Sequence, residues 1–266
     1  MENTENKFGK KTRMILETDF INGKTILKDS YFTAPLKTMQ PFYTPPFMQI
    51  MVLSASAGLM AGDDQDILIK VSPGSSLELL SQSYEKIHKM DTGYAKRNTT
   101  ILVEENGFLK YRPQPVIPFA HSSFVNKMTV FLKDDTSGFI LTDILSCGRY
   151  KQGERFQYDR YQSLVEIYKS KRLIYRDNTR YEPEKMDLEG FGFLEGYTHM
   201  GTAVICNLSL EDDFVRQTRE FIDCFGSIHG GVSRLESGDI LVRICGGSAQ
   251  ELEQVIDEII KKINIR

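Results

Sequence analysis

Short runs of alternating apolar and polar residues fill most of the chain between Gln49 and Arg180. This alternation has the period of a half-buried β-strand, in which every second side chain faces the core. The clearest runs are Leu77 and Leu79; Thr99, Ile101 and Val103; and Met128, Val130 and Leu132. The pattern therefore predicts a succession of short strands with little helix over this part of the chain.

Turn-forming residues separate these runs. They are Ser72-Pro73-Gly74, Asp91-Thr92-Gly93, Asn106-Gly107 and Asp135-Thr136-Ser137-Gly138. The pair Asn106-Gly107 tolerates positive φ angles, and it predicts a tight hairpin between two neighbouring strands.

Two segments near the end of the chain have helical periodicity instead. The first has apolar residues on one face, and Ser209 is predicted to cap it, with Asp212 in the first turn and Gly226 as its stop. Its apolar residues are Phe214, Val215, Phe221, Ile222 and Phe225. We expect this face, including the three phenylalanines, to pack against the strands.

The second helical segment begins with Ser248 and Glu251, which have the spacing of a capping box. An apolar stripe follows, formed by Leu252, Val255, Ile256, Ile259, Ile260 and Ile263. Between the two helices, Ile240, Val242 and Ile244 alternate with other residues and predict one more strand.

The chain has 266 residues, of which 41% are hydrophobic, and 12 Tyr and 16 Phe supply bulky packing without any Trp. No Pro/Gly-rich linker divides it, and no repeat of fixed period is visible, although a stack of β-coils can hide its period. We predict one domain over residues 1–266, mainly β, with two α-helices in its C-terminal part.

The formal net charge of −3 gives the chain no broad attraction to nucleic acid or to anionic membranes. The first residues, Met1 to Lys11, are polar, and no run of about 20 apolar residues follows, so we expect a cytoplasmic protein. The four cysteines are scattered, which predicts reduced and mostly buried thiols. They are Cys147, Cys206, Cys224 and Cys245.

A stretch of small residues from Ser54 to Gly62 precedes two adjacent acids, Asp63 and Asp64. Adjacent carboxylates can bind a divalent ion or transfer protons, and small residues let a ligand approach closely. The alternative is a glycine-containing turn with solvated acids between two strands. The chain has neither the Gly-Lys-Ser/Thr of a nucleotide-binding loop nor a Gly-x-Ser-x-Gly elbow.

Other candidate residues lack a diagnostic spacing. The histidines His88, His121, His199 and His229 do not occur in pairs typical of zinc sites. Gly148-Arg149 and Gly153-Glu154-Arg155-Phe156 place opposite charges around two glycines. Arg149 and Glu154 then form an ion-pair network, or they line an internal passage or a partner surface; residue types alone leave these readings open.

Four motifs, in order over about residues 48 to 160, resemble the UreD/UreH family of urease accessory proteins, most nearly its Helicobacter-type members called UreH. Each motif is weak alone, and the resemblance rests on the set. The motifs are Gly58-Leu59-Met60-Ala61-Gly62-Asp63, Gln82-Ser83-Tyr84-Glu85-Lys86-Ile87-His88, the stretch from Gly107 to Phe119, and Gly148-Arg149 with Gly153-Glu154-Arg155-Phe156.

This resemblance implies a β-helix-like stack of many short strands carrying two helices. It also implies a non-catalytic scaffold and nickel conduit, whose partners are a UreF-like accessory protein, a UreG-like GTPase held through UreF, and apo-urease. Nickel would be in transit, with no tightly bound cofactor. The residues proposed to line the nickel passage or to contact a partner are Asp63, Asp64, Lys86, His88, Arg149 and Glu154. We expect Asp63 to serve urease activation more than folding.

Two other classes of protein compete with this interpretation. A secreted-type β-helical glycan hydrolase or lyase would use Asp63, Asp64 and Glu154 as acid and base. An unrelated β-rich interaction module would need none of them. Aromatic residues clustered on an exposed sheet face favour the enzyme, and an apolar patch of partner size favours the module.

Overall fold

The computed structural model describes Gly9 and residues 11–263. Over these residues the chain forms strands throughout, two α-helices near its end and two single 3₁₀ turns. The strands are β1 (Lys11–Ile21), β2 (Lys24–Phe32), β3 (Leu36–Thr38), β4 (Phe42–Thr44), β5 (Phe47–Ser54), β6 (Asp64–Val71), β7 (Ser76–Ser81), β8 (Glu85–Ile87), β9 (Ala95–Val103), β10 (Phe108–Arg112), β11 (Val116–Pro118), β12 (Ser123–Leu132), β13 (Gly138–Ser146), β14 (Arg160–Lys169), β15 (Arg172–Tyr181), β16 (His199–Cys206), β17 (His229–Arg234) and β18 (Ile240–Gly246). The helices are α1 (Phe214–Asp223) and α2 (Ala249–Lys261), and the 3₁₀ turns span Tyr150–Gln152 and Pro183–Lys185.

The strands form two large sheets. The first has the order β15-β14-β12-β9-β6-β1-β2, and the second has the order β17-β18-β16-β13-β10-β7-β5-β3. Strands at the centre of each sheet are parallel, whereas β2 and β15 run antiparallel at the two edges of the first sheet. Strands β8 and β11 pair in parallel and branch off the second sheet, because β11 also pairs with β13; we call this branch the third sheet.

Successive strands pass from one sheet to the next and then repeat the circuit. Strands β7, β8 and β9 lie in the second, third and first sheets, and β10, β11 and β12 follow the same order. Each circuit stacks on the one before it through parallel pairing. The predicted mainly β fold with a β-helix-like stack is therefore confirmed.

The core lies between the two large sheets because their inward rows are apolar. Leu16, Ile69, Ile101, Val130 and Ile167 are register partners in neighbouring strands of the first sheet, and all five are buried. Met48, Leu77, Leu109 and Phe139 form the matching row of the second sheet. Such rows repeat the inward face of each strand from one circuit to the next.

Helix α1 begins later than the sequence predicts. Its N-cap is Asp213, whose carboxylate accepts hydrogen bonds from the side chains of Arg216 and Gln217, so the predicted cap at Ser209 is wrong. Asp212 likewise precedes the helix instead of lying in its first turn. Phe214 is buried, whereas Phe221 and Phe225 are only partly buried and pack edge to face.

Helix α2 confirms the predicted N-cap, since Ser248 accepts a hydrogen bond from the backbone N–H of Glu251 at 3.3 Å. The Glu251 carboxylate binds Ser227 of a neighbouring loop instead of closing the capping box. The apolar face of α2 packs on the second sheet beside β13, β16 and β18.

The turn at Asn106 has the predicted backbone conformation, but the two strands that it joins do not pair with each other. Asn106 has a φ of 54°. However, β9 and β10 lie in different sheets, so the turn is a corner of the stack and the predicted hairpin is wrong.

The four cysteines are free thiols, of which Cys147 and Cys206 are buried and Cys224 is exposed. Within the described residues, no helix combines the length and the apolar content needed to cross a membrane.

Candidate functional site

The interior of the stack changes from apolar to polar toward one end of its strands. Thr12, Gln65, Arg97, Asn126 and Ser163 are register partners across β1, β6, β9, β12 and β14. They lie two positions beyond the apolar row that includes Ile67 and Met128, so their side chains face the same interior. The strand pattern therefore places a polar layer between the two sheets.

Two cavities occupy this polar layer. One has a volume of about 150 Å³ and runs from the corner at Ser54 and Ser81 to Asp143 and Tyr161. The other has a volume of about 30 Å³ and continues from Asp143 and Tyr161 toward Asp177. Each exceeds the roughly 10–15 Å³ that a single water molecule requires. Asp143 and Tyr161 line both, so the two cavities adjoin at these residues; we call the pair, with the constriction between them, the internal passage.

Asp143 is the carboxylate at this constriction. It lies on β13 between the buried residues Thr142 and Ile144, and it pairs in register with Thr202 of β16. Burial, assisted by the nearby carboxylate of Asp177, raises the pKa of Asp143 to about 6. This group therefore exchanges its proton near neutral pH, and a cation beside it would favour its charged form.

Arg97 supplies a fixed positive charge to the first cavity. Its Nε donates to Oε1 of Gln65 at 2.7 Å, and its guanidinium forms an ion pair with Glu85. Burial by itself would lower the pKa of Arg97, but Glu85 outweighs that effect and raises it. Arg97 therefore stays charged, and the ion pair holds its side chain against one wall of the cavity.

An ion pair between the two sheets lies at the far end of the internal passage. Asp177 of β15 accepts from Arg243 of β18, and Thr179 donates to Asp177 at 3.1 Å. Tyr175 also donates to Asp177, at 3.3 Å. These contacts hold the Asp177 carboxylate in place at the limit of the second cavity.

The near end opens at a corner of the stack where the chain turns from the second sheet toward the third. The turns there are rich in short polar side chains, among them Ser54, Ser81, Gln82 and Ser83. Ser81 and Gln82 also line an outer cleft of about 260 Å³ beside helix α2, which includes Glu253 and Asp257. We call this corner the mouth of the passage.

Asp63 and Asp64 lie at another corner and do not line the internal passage. The Asp63 carboxylate accepts the backbone N–H of Met60 at 2.8 Å, which is the contact of a turn cap. Asp64 forms an ion pair with Lys96 at 3.0 Å on the outward side of β6. Gly62, with a φ of 82°, supplies the left-handed backbone of this turn.

The structure brings three other predicted residues together on the outside of the stack. Lys86, His88 and Arg149 line a groove of about 680 Å³ over the third sheet, which we call the outer groove. Glu154 lies behind Arg149 and accepts from its Nε at 2.8 Å. That hydrogen bond lowers the pKa of Glu154, so the two side chains form a stable ion pair.

Sequence reasoning missed the residues that make the passage polar, namely Arg97, Asp143, Asp177 and Arg243. A signal was present at Asp143, since it is the single charged residue of the mostly apolar strand β13 and takes an inward position there. Arg97 and Asp177 lie on strands with several charges, where alternation does not separate inward from outward positions. Arg243 is the single charge of β18, and the alternation there indicated only a strand. Among the described residues, no three His, Cys, Asp or Glu side chains are close enough to hold a metal ion together.

A protein family and several known proteins that are similar to this chain are all described as urease accessory proteins. Residues 10–265 match the family described as UreD urease accessory protein. A urease accessory protein UreD of Acetivibrio thermocellus is 37% identical over 254 residues, covering 95% of this chain and 97% of that protein. A urease accessory protein UreH of Helicobacter pylori is 32% identical over 256 residues, covering 96% and 95% of the two chains. A UreD of Flavobacterium johnsoniae is 28% identical over 255 residues, covering 94% and 91%.

Proposed function

Because the chain belongs to the UreD family of urease accessory proteins and so has a role in urease maturation, we propose that it is the scaffold and conduit through which nickel reaches apo-urease. The family is one of accessory proteins and not of enzymes, which removes the glycan hydrolase and the unrelated module as alternatives. The observation that carries the conduit is the polar passage inside an otherwise apolar stack.

The chemistry of the passage supports transit of a dication. A conduit must attract the ion without holding it, so isolated carboxylates, hydroxyls and water suit it better than a closed set of strong ligands. Asp143 offers one such carboxylate at the constriction, whereas Asp177 at the far end is already paired with Arg243. In this proposal an arriving dication displaces the proton of Asp143, and the negative charge of the carboxylate then balances part of the charge of the dication.

Arg97 determines the charge of one wall of the internal passage. Its charge is already compensated by Glu85, so the wall it forms is polar but close to neutral. A dication passing this wall meets hydrogen-bonding groups instead of a repelling free charge. The short hydroxyl side chains at the mouth replace part of the hydration shell at the entrance.

We further propose that the protein links apo-urease to a UreF-like protein and, through it, to a UreG-like GTPase. In this arrangement nucleotide hydrolysis belongs to the GTPase, and this chain provides the path between the GTPase complex and urease. The sequence supports this division, because it lacks the phosphate-binding loop that a nucleotide hydrolase needs.

The test is to obstruct the mouth while leaving the outer surfaces intact. Ser81 faces the first cavity, so Ser81→Trp places an indole ring in its entrance. We expect this variant to bind the UreF-like partner as the parent does on a sizing column and to lose most of its ability to activate apo-urease with nickel. Metal content of the urease, measured after removal of free nickel, should fall in parallel with its activity.

A matched control separates obstruction from the bulk of the new side chain. Ser233 is exposed on β17, away from the passage, and Ser233→Trp introduces the same ring there. This control should bind and activate normally. Normal activation by Ser81→Trp, with its indole shown to fill the cavity, would refute the conduit.

A further inference from the structure

The outer groove has an apolar floor built on the third sheet. Ile117 lies in strand β11, Phe119 follows the strand and Pro115 precedes it. The Phe119 ring lies between two neighbours: the His88 ring is 4.9 Å away edge to face, and the Arg149 guanidinium is 4.1 Å from its centroid. His88 is itself fixed, because its Nε2 lies 3.0 Å from the carbonyl oxygen of Ala57. The floor is therefore held in place before any ligand arrives.

The charge lining this groove has one sign. Lys86, Arg149 and Lys151 line it, and among the described residues that do so there is no Asp or Glu. The charge of Arg149 is balanced by Glu154 behind it, but Lys86 and Lys151 are exposed side chains. For a chain whose formal net charge is −3, this is a local concentration of positive charge.

The N-terminal end of helix α2 adds further hydrogen-bond donors along one wall of the outer groove. Ala249 and Gln250 occupy its first turn, where backbone N–H groups precede the first hydrogen bond of the helix. The helix dipole places a partial positive charge at the same end. His199 lines this wall too, and burial lowers its pKa, so it is a neutral hydrogen-bonding group at pH 7.

We infer that the outer groove binds an acidic, partly apolar peptide segment of a partner protein. The apolar floor suits side chains such as Leu or Phe, and the exposed lysines and the start of α2 suit carboxylates between them. A small inorganic anion would leave the floor uncovered, so it accounts for only part of the groove. This inference rests on the proposed scaffold role, since it describes how a partner docks, but it does not depend on nickel transit.

The position of the groove connects docking with the mouth of the passage. Ala57, Tyr84 and Lys86 line both the outer groove and the first internal cavity. A peptide in the groove therefore lies against the same three residues that bound the cavity. This places the docked segment of the partner beside the entrance that nickel would use.

The experiment is a selection of displayed twelve-residue random peptides on the full-length protein. The same library is selected in parallel on the double variant Lys86→Glu/Lys151→Glu and on the control Lys24→Glu/Lys37→Glu. Lys24 and Lys37 are exposed and do not line the groove, and the control changes net charge by the same amount. We expect peptides enriched in Asp and Glu with interspersed apolar residues from the parent and the control, but not from the groove variant.

A selected peptide, labelled with fluorescein, then gives quantitative readouts by anisotropy. We expect the groove variant to bind at least about tenfold more weakly, and Asp/Glu to Asn/Gln versions of the peptide to lose a similar factor. Added salt should weaken binding because the lysines are exposed. Selected peptides without an excess of acidic residues, or equal affinity for parent and groove variant, would overturn the inference. A failed selection beside a successful obstruction at Ser81 would reject the groove and leave the conduit standing.

Discussion

Arg243 donates a hydrogen bond to Asp177 across the end of the stack and so joins the last strand of the first sheet to a strand of the second. Arg243→Met keeps the length of the side chain but leaves the Asp177 carboxylate without its cation. We expect the free energy of unfolding to fall by roughly 1–2 kcal/mol, since the pair is charged but partly exposed. Urea unfolding followed by circular dichroism measures this, and Arg172→Met on the exposed edge is the control, with a change within about 0.5 kcal/mol.

The raised pKa of Asp143 makes stability depend on pH in a definite direction. Its folded-state value of about 6 lies above the ordinary value of 3.8, so the folded protein keeps a proton that the unfolded chain loses. Between these values the contribution of Asp143 to the free energy of unfolding decreases as pH rises. Asp143→Asn resembles the protonated form and should therefore gain stability over the parent between pH 4 and pH 7, by at most about 3 kcal/mol.

Urea unfolding of parent and Asp143→Asn at both pH values tests this expectation. Activation of urease should fall in the same variant, because the amide cannot exchange a proton for a dication. A constant stability difference between the two pH values would contradict the assigned protonation of Asp143.

The phenylalanines of the α1 segment should differ in their contribution to stability. Phe214 is 5% exposed, so Phe214→Ala should lower the free energy of unfolding by about 3–5 kcal/mol through lost burial and a cavity. Phe221 is partly buried and carries the Lys262 ammonium 4.0 Å above its ring, and Phe221→Ala should cost less, about 1–2 kcal/mol. Comparable losses for the two variants would mean that α1 packs more deeply than its exposure indicates.

Two substitutions of Asp63 distinguish a structural role of this residue from a role that depends on its charge. Asp63→Ala removes the acceptor for the Met60 N–H and should cost about 1 kcal/mol. Asp63→Asn keeps an acceptor at the same place, and we expect it to retain both stability and urease activation. Loss of activation by Asp63→Asn at parental stability would instead support a role for the Asp63 charge in guiding nickel, as the sequence led us to expect.

The strands with clear alternation were predictable because each has one buried face. Leu77, Ile101 and Val130 all lie in the inward rows that their spacing predicts. The sheet to which each strand belongs was not predictable by this means, since a corner at Asn106 and a hairpin there have the same residue preferences. The difference is set by pairing between distant circuits, which alternation within one strand does not encode.

The candidate site was harder to predict for a related reason. Lys86 and His88 belong to one segment and Arg149 to another, and the two segments meet only because the fold brings both to the outer groove, although the family motifs had singled out all three residues. Asp143 and Arg97 gain their importance from the opposite sheet, and neither has a local motif. The cap of α1 was misplaced because Ser209 and Asp213 are both suitable capping residues and only packing of Phe214 decides between them.

The antiparallel strand β15 at the edge of the first sheet has a consequence for polymerisation. A stack of parallel strands presents an open edge on which another molecule can add, and repeated addition produces a fibre. On β15 this edge carries Arg172, Arg176 and Arg180, whose side chains are all more than half exposed. Each of these arginines is paired with a glutamate, and a second copy adding to this edge would have to accommodate this row of charged, hydrated side chains, which disfavours self-addition on β15.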